Sequence, residues 1–293
     1  MAFHNPFTDE EMDAAAAVPM TDDILLHALR IGTGSLGKFA DEIMKPILDG
    51  LIGWTDRDKA IGMTFYRLLA GLKTCNKLTD PFDFQTTAGT TRTIFELCVD
   101  LILLTDNLIV DGVDKFHAFT RAARFSAAYL SVQFYEAHPE LKDDDTAAER
   151  YRLVQTPGLQ TEIESLCKRL WNKHKAPEHW SGLRWSEQVE LLPVDFQERF
   201  QRWHQMLAWQ IHGGGAGVGG LSPRAFLAVE TACREFIKAV VPVAFKKVSV
   251  ELHMHQAKPE FFDYLDFIVK KVETLAYIDA ALQSIGRPGK FAA

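Results

Sequence analysis

Residues 203–222 read WHQMLAWQIHGGGAGVGGLS, and the fold turns on whether a strand or a helix feeds these glycines. Upstream, Phe196, Phe200, Trp203, Leu207 and Ile211 recur at spacings of three and four, the period of an amphipathic helix. The run stops at His212. Six glycines follow, interrupted only by Ala216 and Val218. Such density marks a tight bend or a close approach of the backbone to something else. Ser222 and Pro223 then form a helix start, with Ser as cap and Pro in the first turn. Gly215–Gly220 (GAGVGG) fits the G-x-G-x-x-G template of dinucleotide sites. In those sites, however, the glycines leave a buried strand of a βαβ unit. Here RWHQMLAWQIH precedes them with helical spacing and charges, and no Lys-Ser or Lys-Thr follows to make a P-loop. The glycines read as a link between helices. The helix start after them, with Arg224 beside it, retains the capacity to hold an anion.

Outward from this link the pattern is helical in both directions. Short helices are expected over 24–30, broken by Gly32, Gly34 and Gly37, and over 39–52, divided by Pro46. Asp56 or Asp58 opens a helix to about Leu78 whose buried face is Ile61, Phe65, Leu68, Leu69 and Leu72. TDPFDFQTTAGTT reads as a loop, followed by helices over 92–108 and from Asp111 or Asp114 to His138. Further helices are expected to Lys175 from Thr161, from Pro193 to His212, from Ser222 to Gln256 with a bend at Pro242, and over 260–285. Strand-like alternation is nearly absent. The reading is an all-α, multi-helix bundle of about eight to ten helices with no substantial β-sheet. Residues 1–20 are expected as a loosely ordered N-terminal arm and 21–293 as a single elongated helical domain. The charged connection near Asp143 is the best internal boundary.

Hydrophobic residues make up 47% of the 293, ample for a core, and the net charge of −7 argues against a main task of gripping duplex DNA. Cys75, Cys98, Cys167 and Cys233 are far apart and form no C-x-x-C, which points to reduced, buried thiols and a cytoplasmic protein. The acidic N-terminus lacks the pattern of a secretory signal. The most apolar run, LCVDLILLTDNLIV, is interrupted by Asp100 and Asp106 and is too short to span a membrane. His253 and His255 point apart on one helix, Glu251 does not complete a site, and no E-x-x-H pair occurs. Neither a metal nor a cofactor is expected.

Four constellations carry chemistry. His212, at a helix end before Gly213, is explained by the helix dipole and a glycine cap, and is alternatively an acid, base or ligand beside the glycine loop. Arg92, Glu96 and Asp100 form a charged stripe on an otherwise apolar helix, either an internal ion-pair network or the polar wall of a binding pocket. Arg199 and His204, spaced R-x-x-x-x-H in RFQRWH, suit phosphodiester chemistry: the arginine offsets phosphate charge and the histidine moves a proton. KRLWNKHK (168–175) is the compact basic cluster, with Trp171 and His174 interleaved as in single-strand RNA binders, or else a solvated helix face.

Taken in order, TRTIFELCVDL from Thr91, HWSGLRW from His179 and FQRWHQMLAWQIHGG from Phe200 resemble a bacterial family of helical proteins, a domain of unknown function. The resemblance covers roughly residues 60–220 and rests on an Arg-x-x-x-Glu helix, a Trp-Ser-Gly turn and an aromatic helix ending in His-Gly. It implies roles for Arg92, Glu96, Trp180, Ser181, Gly182 and His212. A serine and a tyrosine common in the family's last helix are Ala208 and Trp203 here, which departs from a serine-dependent role. RFQRWH alone is similar to HEPN-type helical bundles, some of them ribonucleases of bacterial defence. The leading expectation is therefore a helical protein of bacterial stress or phage defence, RNA-directed and metal-independent, with Arg199, His204 and His212 as catalytic residues. Arg92, Glu96, Asp100, Trp180 and Arg224 are its binding residues, and the basic cluster is its RNA contact. The alternatives are a non-enzymatic module that binds a protein partner or its own copy, and a small-molecule or nucleotide binder.

Overall fold

The computed structural model describes residues 5–141, 144–204, 207 and 223–290, with the backbone alone at His204 and Arg224. The chain is all-α: every regular element among the described residues is helical. By contacts it separates into two compact units, 1–106 with 192–293, and 107–191. The division thus falls on either side of the segment 107–191 and not at the charged connection near Asp143.

The first unit holds α1 (Asp9–Ala16), α2 (Asp22–Phe39), α3 (Lys45–Asp49), α4 (Asp56–Lys77) and α5 (Phe84–Thr105). After the second unit it resumes with α10 (Val194–Arg199), α11 (Pro223–Glu251), α12 (Met254–Ala257), α13 (Phe261–Phe267) and α14 (Glu273–Ser284). Helix α5 packs on both α4 and α11, and α2 packs on α4, α11 and α14. Phe39, Phe65, Phe245 and Phe261 meet at the centre with no more than 1% exposure each. Each such burial contributes about 1.5–3 kcal/mol.

Local chemistry explains several departures from the sequence expectation. The arm over 1–20 contains a capped helix: Thr8 and Glu11 form a capping box, and Phe7 and Ala15 are buried against α14. The glycines at 32, 34 and 37 do not end α2. A Cβ on Gly37 would lie 2.6 Å from Asn76 Nδ2, so this glycine lets α2 approach α4 closely. The cap of α4 is Thr55, with Asp58 reciprocating from N3. The expected loop before Arg92 is instead the first two turns of α5, because Thr87, Ala88 and Thr91 are buried and Phe84 stacks on Phe226 at 4.5 Å. A π-turn over Ala40–Met44 absorbs Pro46 just upstream of it. Pro242 stays inside α11, which ends at Glu251 before His253 takes a left-handed conformation (φ 53°).

The second unit consists of α6 (Gly112–Ala137), α7 (Asp144–Val154), α8 (Leu159–Trp171) and α9 (Trp185–Glu190). Helix α6 packs on α7 and on α8. Ala122 and Phe125 of α6 meet Leu159, Ile163 and Cys167 of α8 to form this unit's own small core. Helix α8 stops at Trp171 because Asn172 adopts the left-handed conformation (φ 54°) and closes its last carbonyls.

Candidate functional site

The charged stripe of α5 runs from surface to core. Arg92 Nε donates to Glu96 Oε1 at 2.8 Å, with both side chains about a third exposed, and Asp100 one turn on is buried. Helix α10 reaches the same helix: Phe196 and Phe200 both stack on Phe95, at 6.2 and 6.3 Å. Arg199 lies between those two rings in sequence, and its buried Nε has no hydrogen-bond partner among the described residues. Phe200–His204 is a π-turn. Its i→i+5 bonding puts positions 199 and 204 one turn apart, whereas an α-helix would put them on different faces. The side chains of His204 and Arg224, and all of His212 and the glycine tract, lie outside the described residues.

The Trp-Ser-Gly turn belongs to the second unit and is tightly packed. Trp180 is 2% exposed and meets Phe116 edge-on at 5.8 Å. Its carbonyl accepts Trp171 Nε1–H at 3.0 Å. His179 Nδ1 accepts the Ser181 backbone N–H at 3.2 Å, so this nitrogen is unprotonated and the Ser181 hydroxyl donates to it at 2.9 Å. Ser181 Oγ accepts from Leu183 N–H at 3.2 Å and is on a side chain only 3% exposed. A buried hydroxyl engaged on both sides locks a turn; it is not presented for attack on a substrate. Gly182 closes the turn at φ 80°, and a Cβ there would sit 2.6 Å from the Trp171 ring.

A buried polar network in the first unit escaped the sequence reading. Arg234 of α11 is 1% exposed. It donates to the carbonyls of Cys75 and Leu78, both at 2.9 Å, and so closes the C-terminus of α4. It also bonds Thr33 Oγ1, Asn76 Oδ1 and Glu230 Oε1. Glu230 in turn receives both nitrogens of Arg30, at 2.8 and 2.7 Å, and Arg30 caps the Thr79 carbonyl. Burial pushes the neighbouring thiols of Cys75 and Cys233 up, that of Cys233 to about 12. The signal was present as Glu230 and Arg234 four residues apart in the apolar run FLAVETACREFIKAVV, the same pattern that singled out Arg92 and Glu96.

A concave surface among the described residues lies within the second unit. A groove of about 680 Å³ runs between α6, the start of α8 and residues 174–177. Its lining includes the small residues Ala122, Ala123 and Ser126 and the apolar Phe119, Leu130 and Ile163. The apolar surface continues onto exposed Tyr129, Leu130 and Phe134, of which Leu130 is 63% and Phe134 50% exposed. Polar groups at the rim are Gln133, Gln160, Glu164, His174 and Lys175, with Gln160 bonded to Glu164 at 2.9 Å. The sequence signal is the helical spacing of Phe116, Phe119, Ala123, Ala127, Leu130 and Phe134, which by itself does not separate a buried face from an exposed one.

Among the described residues no group of three or more His, Cys, Asp or Glu is placed to hold a metal ion. No helix among them is long and apolar enough to cross a membrane. Comparison with protein-family models, with curated proteins and with solved structures returns no match.

Proposed function

We propose that this chain is a non-enzymatic helical binding module and that the groove of its second unit is the ligand seat. The observation that carries this reading is the groove's lining: a concavity of 680 Å³ continued by large apolar side chains that are left exposed on the same helix. Ligand seats are typically concave and mostly apolar with a few polar groups, and occupy roughly 300–1,000 Å³. Exposed apolar patches bordered by polar residues mark interaction surfaces. The polar rim, with His174 and Lys175 at one edge, orients an occupant that is apolar along its length and anionic at one end. The test is binding of 1-anilinonaphthalene-8-sulfonate, an apolar anion, to the native chain near neutral pH. Leu130→Asp is expected to abolish the fluorescence gain, while Met63→Asp, at an exposed apolar position of the first unit, leaves it intact. Equal loss in both, or in neither, overturns the reading.

A second reading, RNA-directed chemistry at Arg199 and His204, is supported by the π-turn that puts these positions one turn apart. The resemblance to bacterial defence proteins is its other support. Cleavage of single-stranded RNA without added metal, lost in both Arg199→Ala and His204→Ala, is its expected signature. Activity that survives either substitution removes this reading.

A further inference from the structure

We propose that the groove of the second unit receives an acidic amphipathic helix from a partner protein. This inference rests on the groove being the ligand seat and names its occupant. Three observations converge on it.

Along α6 the groove extends from Phe119 to Gln133, about 21 Å at 1.5 Å per residue. Spread over that length, 680 Å³ corresponds to a cross-section of roughly 30 Å². A whole helix, about 10–12 Å across, does not enter such a slot, but one row of its side chains does. The small lining residues Ala122, Ala123 and Ser126 leave room for those side chains, and a helix seated this way presents anchors at i, i+4, i+7 and i+11.

The apolar surface does not stop at the groove. Leu130 and Phe134 are 63% and 50% exposed beside it, so an occupant confined to the slot leaves them wet. A helix lying over the slot covers both.

The third observation is charge. Elsewhere in this unit Arg121 pairs with Glu162, Arg124 with Glu149 and Arg184 with Glu187, while Arg150 donates to the Tyr135 hydroxyl. Lys168, Arg169, Lys173 and Lys175, with His174 among them, face no carboxylate within bonding distance among the described residues. The dipole of α8 accounts for Lys168 and Arg169 in its last turn. Lys173, His174 and Lys175 lie beyond the helix end, and His174 and Lys175 line the groove. Glu164, the carboxylate of the lining, accepts from Gln160, which leaves His174 and Lys175 for an acidic partner. Single-stranded RNA is the less favoured occupant, because Trp171, the aromatic residue within the basic cluster, is committed to the Trp180 carbonyl and to Gly182.

The experiment is fluorescence anisotropy with labelled probes of matched length. One is a helical peptide of about 16 residues carrying Leu at i, i+4, i+7 and i+11 and Glu in its terminal turns. The others are the same peptide with every Glu replaced by Lys, and a single-stranded RNA oligonucleotide. The acidic peptide is expected to bind at least about tenfold more tightly than the other two. Leu130→Asp and the pair Lys173→Glu and Lys175→Glu are each expected to weaken it by at least about tenfold, with the sensitivity of the charged pair fading at high salt. All these positions are on the surface, and unchanged melting of the variants shows that the fold is intact. Preference for the RNA, indifference to the sign of the peptide's charge, or a concentration-dependent dimer broken by Leu130→Asp overturns the proposal. If the anilinonaphthalene dye still maps to the groove in that event, the ligand seat stands and only its occupant is wrong. If the dye also ignores Leu130→Asp, the seat itself is wrong.

Discussion

Replacing Arg234 by Met tests whether one buried guanidinium holds the end of α4 in place. The substitution roughly conserves length and leaves Glu230 paired with Arg30, so no buried carboxylate is stranded. What it strands are the Leu78 carbonyl and Asn76 Oδ1, while the Cys75 carbonyl loses one of its two donors and keeps the Leu78 N–H. A buried polar group left without a partner costs about 1–3 kcal/mol. With relaxation and partial hydration near Leu78, a total loss of about 3–5 kcal/mol is expected from these acceptors together. The first unit spans roughly 200 residues, for which each kcal/mol moves the melting temperature by about 2–4 °C. The expected fall is therefore roughly 6–20 °C by calorimetry or circular dichroism. Glu230→Gln is expected to fall in the same range, because it leaves two cations facing a neutral amide. The double variant should lose less than the sum, since the two residues share one network. A shift under about 2 °C for Arg234→Met would refute the argument that this network closes α4.

The other expectations are narrower. Gly182→Ala should destabilise the second unit by about 1–2 kcal/mol from its left-handed backbone alone, and by more where the new methyl meets the Trp171 ring; tryptophan fluorescence melting reports it. All four cysteines are buried, so a thiol reagent should react with them only after denaturant is added, and fast labelling of any one in the native state would contradict the packing. Burial first, and then its hydrogen bond to Asp49, pushes the Tyr66 phenol from 10 up to about 12. Its neutral form is favoured in the folded state, so its contribution is complete below pH 10 and is lost as pH rises through about 12. Ultraviolet titration of the wild type minus Tyr66→Phe should show this late midpoint, and a midpoint at 10 would refute it. Asp266 is shifted the other way, held below the usual carboxylate range first by Lys270 and then by Lys246. Its contribution is present above 3.8 and is lost as pH falls through the lowered folded value, so Asp266→Asn should lower the melting temperature at neutral pH and converge with the wild type in acid.

Much of the helical architecture was legible because apolar residues recur at helical spacing: the face Ile61, Phe65, Leu68, Leu69 and Leu72 of α4 is buried throughout, at no more than 4% exposure. Boundaries were less legible where tertiary packing overrides local preference. Gly37, which would punctuate an isolated helix, is a close-approach point in α2, and threonines that look like loop residues are buried in α5. The two-unit division was not visible in composition, since the chain leaves and rejoins the first unit at ordinary turns near Asp106 and Leu192. Among candidate residues, periodicity found Arg92 and Glu96, and they do pair. The family resemblance pointed to Trp180, but not to its filling a core and sitting in a different unit from Arg92. The groove was invisible for a plain reason. A residue on an apolar helical stripe is expected to be buried, and nothing local tells that Leu130 is left exposed among the described residues.

The most direct test of the account is where an apolar anion binds. Methyl resonances of Ala122, Ala123, Leu130 and Ile163, recorded during titration with 1-anilinonaphthalene-8-sulfonate, are expected to shift together with one affinity. Those of Ile61, Leu68 and Met63 in the first unit should stay fixed. Shifts in the first unit, or none at Leu130, would contradict the central claim that the second unit carries the binding seat.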